Sequence, residues 1–128
     1  MATPLSVSLD LPADPEAAYA LLTDASYVQE VGEATGGIDV EVSVTPTDDG
    51  GAVVESRRAL PAELPSYAKA MVGDTLRLVE TRTFGPASAD GSRGGSASVR
   101  FEGAPITISG AQRLAAGGPG SVLALDLS

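Results

Sequence analysis

Residues 5–29 read LSVSLDLPADPEAAYALLTDASYVQ, and the pattern is one strand followed at once by two short helices. Leu5, Val7, Leu9 and Leu11 alternate with Ser6, Ser8 and Asp10, the period of two expected of a half-buried strand. Pro12 ends it. Asp14 is placed to cap a helix, with Pro15 at its first position and Glu16 near the positive end of the helix dipole. Ala18, Leu21 and Leu22 then share one helical face. Ser26 and Gln29 have the Ser-x-x-Gln spacing of a capping box, which predicts a second helix starting at Ser26.

The stretch belongs to a chain of 128 residues, the size of one domain. At this length folding buries roughly two-thirds of the chain's surface, enough for a single core. The hydrophobic fraction of 43% indicates a globular protein. The chain has no cysteine, so it has neither a disulfide nor a thiolate nucleophile. It also has no histidine, the commonest general base and metal ligand near neutral pH. The formal charge is −9, and basic residues are concentrated only in the pair Arg57-Arg58. Nucleic acids and anionic lipid surfaces attract basic patches, so neither is an expected partner. The plain reading of the charge is solubility. No apolar run approaches the roughly 20 residues that span a bilayer, and residues 1–20 lack a basic region followed by an apolar one. A cytoplasmic, bacterial protein is expected. Seven arginines against one lysine fit a GC-rich genome.

Beyond the helices, Ala34-Thr35-Gly36-Gly37 is a helix stop. Ile38, Val40, Val42 and Val44 alternate with polar residues in the cleanest strand of the chain. The turn Asp48-Asp49-Gly50-Gly51 leads to a returning strand over residues 52–60. Residues 61–73 interrupt the strands, with Ser66 placed to cap a short helix that carries Tyr67 and Met71. Residues 75–84 form a strand whose alternation slips at Leu78-Val79, which predicts a bulge there. Three further strands are expected over 93–102, 106–114 and 121–127. Short turns between them imply antiparallel neighbours.

The order strand, helix, helix and six strands is similar to that of the START-like superfamily, also called SRPBCC or helix-grip, which includes polyketide cyclases and lipid-transfer proteins. Locally, Ala13-Asp14-Pro15-Glu16, Tyr19, Leu21-Leu22-Thr23-Asp24 and Tyr27-Val28 resemble the N-terminal signature common there. Leu64-Pro65-Ser66-Tyr67, Val72-Gly73-Asp74-Thr75-Leu76 and Thr81-Arg82-Thr83-Phe84-Gly85-Pro86 look like a bacterial branch of unknown function. The resemblance covers essentially the whole chain. It implies an α+β, helix-grip fold: a curved antiparallel sheet of about seven strands, with two short helices between the first and second. Such domains end in a long helix across the sheet, whereas this sequence stops on a strand. Residues 1–128 are therefore expected to be one START-like domain, C-terminally incomplete, and a homodimer covering the open sheet is a candidate assembly.

The resemblance also implies a cavity for a small apolar or amphipathic molecule. Its expected lining is Phe84, Val99, Phe101, Ile106, Ile108, Leu123 and Leu125, with Tyr67 and Met71 near the mouth. Arg57 and Arg58 must point to opposite faces of their strand, so one of them faces inward as a polar anchor. Arg57 is taken as the ligand contact. The plainer alternatives are an internal ion pair with Glu55, Glu80 or Glu102, or a guanidinium at the rim. Glu80 and Arg82 interrupt the inner face unless the bulge turns them outward, and cross-strand charge pairing suits them better than catalysis. Tyr19 and Tyr27 are read as packing residues with surface hydroxyls. The glycine pairs fit no phosphate-binding loop and are read as turns, or as a bend at Gly94-Gly95. No cofactor, metal site or catalytic residue is assigned. The expected function is non-catalytic ligand binding; a cyclase- or hydratase-type enzyme using Glu80 and Arg57, and an interaction domain using the open sheet, are the alternatives.

Overall fold

Strand β1 (Leu5–Leu11) passes through Pro12 into helices α1 (Pro15–Leu22) and α2 (Ala25–Ala34). Six strands follow: β2 (Ile38–Pro46), β3 (Ala52–Pro61), β4 (Thr75–Phe84), β5 (Arg93–Phe101), β6 (Thr107–Gly117) and β7 (Gly120–Leu127). The structure is a computed structural model that describes residues 5–61, 75–102, 107–117 and 120–128.

The strands form one antiparallel sheet in the order β1-β7-β6-β5-β4-β3-β2. Seven strands laid flat would be roughly 30 Å across. Yet the helix pair touches β2 and β3 near one edge and β6 and β7 near the other. The sheet therefore curls around the helices in an α+β, helix-grip-like arrangement. Close approaches between strands favour this curl at glycine positions. A Cβ on Gly95 would lie 1.8 Å from the Thr83 carbonyl oxygen, and one on Gly110 would lie 1.9 Å from that of Asp126.

Asp14 caps α1 as expected, its Oδ1 accepting from the Ala17 N–H at 2.8 Å. The second helix starts differently from the capping-box reading. Asp24, not Ser26, is its cap, and Asp24 Oδ1 accepts from the Ser26 and Tyr27 N–H groups at 2.9 and 3.2 Å. Asp24 immediately precedes the first helical residue, where its carboxylate reaches the free N–H groups, whereas Ser26 is already the second residue of the helix. Gly36, at φ 96°, ends the helical stretch in the left-handed region that glycine enters without strain.

The bulge also sits elsewhere. The register of β4 with both neighbours runs unbroken, so none exists at Leu78-Val79. It lies instead between Ile38 and Glu41 in β2, with Asp39 at φ 54°. The bulge turns Ile38 outward, 44% exposed, while Val40 is buried.

One core cluster joins Ala18 of α1 to Ala97, Leu114, Leu123 and Leu125 of the sheet, with Val7, Leu11, Tyr19 and Leu22 packed against it. Tyr19 meets Phe84 edge to face at 5.6 Å. Its ring also carries the Arg93 guanidinium at 3.5 Å. Arg93 Nη1 donates to the Gly50 and Gly85 carbonyls, tying two inter-strand turns to α1.

Candidate functional site

Residues two apart on a strand share a face, so the cross-strand register defines the inner surface. Leu9 stands opposite Leu123, Leu123 opposite Leu114, Ala97 opposite Arg82, Val54 opposite Arg82, and Ser56 opposite Glu80. Arg58 and Leu78 are the next inner pair. The unbroken register of β4 thus keeps Glu80 and Arg82 on the side facing the helices.

Between that surface and α2 lies a half-open cleft of about 280 Å³. Val28, Val31, Gly32 and Thr35 recur at helical spacing along α2 and form one wall, with Tyr27 and Leu22 beside them. Leu9, Leu11, Leu123 and Val54 supply the apolar part of the sheet side, and Ser56, Arg58, Glu80 and Arg82 the polar part. Gly32 allows α2 to close on β2: a Cβ there would meet Val40 Cγ1 at 3.0 Å.

The polar part is a row across two strands. Glu80 Oε1 lies 3.8 Å from Arg58 Nη1, and Glu80 Oε2 lies 3.5 Å from Arg82 Nε. The three side chains are only 20%, 16% and 26% exposed in the order Arg58, Glu80, Arg82. Arg58 Nη1 also donates to Ser56 Oγ at 3.3 Å, and Arg82 Nη1 to Gln112 Oε1 at 3.5 Å. Gln112 is itself buried and anchored, its Nε2 donating to the Thr83 carbonyl at 3.0 Å. Charged groups this enclosed are rarer and more informative than apolar ones on the same face.

Arg57 points the other way. On the outer face it pairs with Glu55 at 3.1 Å and Glu102 at 3.7 Å, all three side chains being 41–50% exposed. Such pairs contribute at most about 1 kcal/mol each. Arg58 is the arginine that reaches the cleft, because neighbouring strand residues alternate in direction. A wider concavity of about 490 Å³ includes Asp39, Glu41, Arg57, Arg77 and Glu102, and Arg58 and Leu78 of the inner face also border it.

Of the other sequence-derived contacts, Leu123 borders the cleft. Leu125 and Phe84 are buried in the packing beneath α1. Val99, Phe101 and Ile108 are half-buried and continue the inner face beyond Glu80, since Val99 pairs with Glu80 and Ile108, and Phe101 with Leu78. Tyr67, Met71 and Ile106 lie outside the described residues. The α2 wall was not among the sequence-derived contacts. Its signal was present in the spacing of Val28, Val31, Gly32 and Thr35.

Among the described residues, no three acidic side chains are grouped to hold a metal ion. No described helix is long and apolar enough to cross a membrane. The profile of a family described as "Protein of unknown function (DUF2505)" matches residues 6–128. No curated protein matches the chain.

Proposed function

The chain belongs to the DUF2505 family, whose function is unknown, and we propose that it is a non-catalytic module holding one small hydrophobic or amphipathic molecule, as START-like domains do. The carrying observation is the cleft itself: apolar side chains from α1, α2, β1, β3 and β7 converge on a volume of about 280 Å³ with a few placed polar groups. Ligand sites are built this way, with apolar walls for affinity and few polar groups for orientation. Its volume stands near the lower end of the roughly 300–1,000 Å³ of drug-sized sites, which favours a small guest.

The test is native mass spectrometry of protein purified from cells, beside a variant in which Val31→Trp fills the cleft from the exposed side of α2. The reading predicts a bound small molecule on the original chain, released on denaturation and missing from a folded Val31→Trp protein. Equal occupancy of both proteins, or of neither, contradicts it.

A further inference from the structure

The cleft's apolar walls set no preference for one kind of polar end; the row beneath them does. We propose that the cleft is selective for a small monocarboxylate of about eight carbons, its carboxylate held between Arg58 and Arg82. The proposal rests on the ligand-binding reading above and specifies its chemistry.

Three features support it. The first is charge: two guanidiniums flank one carboxylate, so the row carries a net single positive charge at its enclosed position. A singly charged anion compensates it, whereas a cation would raise the net positive charge and a neutral head would leave the imbalance in place. The second is donor capacity. The separations of 3.5 and 3.8 Å from Glu80 exceed the usual length of a charge-assisted hydrogen bond. Each guanidinium has five N–H donors. Ser56 and Gln112 are the further side-chain acceptors that these two arginines reach among the described residues. Arginine donors in this fork geometry match a carboxylate. Gln112, held by Thr83, acts as a positioning residue that keeps Arg82 aimed along the inner face.

The third feature is size. At about 30 Å³ for each water-sized group, the volume of about 280 Å³ takes roughly nine non-hydrogen atoms. An eight-carbon acid, with ten non-hydrogen atoms, is close to that size, its tail against Leu9, Leu11, Leu22, Val28 and Val31 and its head at the row.

Isothermal titration calorimetry with octanoate and octan-1-ol at neutral pH tests this on the unmodified protein. Both probes have eight carbons, so the difference reports chiefly the head. Octanoate is expected to bind about ten- to a hundredfold tighter, the ratio given by charge-assisted hydrogen bonds in a half-buried site. Arg58→Gln and Arg82→Gln are each expected to shrink that ratio. Equal affinities, or tighter binding of the alcohol, overturn the carboxylate assignment and leave the apolar cleft standing. Binding of neither probe overturns both readings. The comparison on the unmodified chain decides the matter even where an arginine variant does not fold.

Discussion

Single residues carry both the tightest couplings and one unsatisfied group. Ser121 is 1% exposed, and its hydroxyl has no hydrogen-bond partner among the described residues. A buried unpaired hydroxyl is costly, and alanine removes it while leaving only a small void. Ser121→Ala is expected to raise unfolding stability by about 1 kcal/mol, read from urea denaturation. A loss of stability would show that the hydroxyl is satisfied. At this scale the sequence was least readable. Alternation required one of Arg57 and Arg58 to face inward, but only the register against Leu78 and Val79 identifies Arg58. The sequence left open an internal ion pair with Glu55, Glu80 or Glu102; the enclosed pair is Arg58 with Glu80, while Arg57 meets Glu55 and Glu102 on the exposed outer face.

The strands and helices were the most readable features, because each repeats a simple period over many residues. Errors fell where one period carried two meanings. Val79 broke the alternation of β4, and a bulge was the economical explanation. The structure shows instead that the outer face is not uniformly wet: Val79 and Ala59 are both buried there. An apolar residue on that side needs no change of register. The real bulge in β2 left the alternation of Ile38, Val40 and Val42 intact, so the sequence held no trace of it. The start of α2 makes a direct test. Asp24→Ala should cost about 1 kcal/mol through loss of the cap. Ser26→Ala should stay within about 0.5 kcal/mol. The reverse order, measured by urea denaturation, would restore the capping box at Ser26.

The inter-strand turns add a pH dependence. The Asp49 carboxyl is held below its ordinary 3.8, first by the Thr47 hydroxyl and then by the Gly51 N–H. Asp90 is lowered likewise, first by the Ser92 hydroxyl, then by the Ser92 N–H, with Arg113 adding a smaller attraction. Both groups bind protons less readily folded than unfolded. Their contribution is therefore present above about pH 4 and is lost as pH falls through the lower folded values. A melting series should show Tm falling on acidification in that window. Asp49→Asn with Asp90→Asn should flatten part of the fall, and an unchanged profile would count against these turn contacts.

At the scale of the molecule, strand order was legible and curvature was not. Antiparallel neighbours follow from short turns, but the meeting of β1 and β3 residues across one cleft depends on how far the sheet curls. The sequence marked that only at Gly94-Gly95, and the structure adds Gly110. Hence Phe84, Val99, Phe101, Ile108, Leu123 and Leu125 fall on the inner face, but only Leu123 of the expected contacts borders the opening under α2 and over the Arg58-Glu80-Arg82 row. Ligand binding depends on that opening. Its most direct test is a nitrogen–proton correlation spectrum of labelled protein titrated with octanoate. It predicts saturable shifts concentrated at the amides of Tyr27, Val31, Gly32, Val54, Arg82 and Leu123. Shifts centred on Glu41, Arg57, Arg77 and Glu102 of the wider concavity, or no saturable shifts at all, would contradict it.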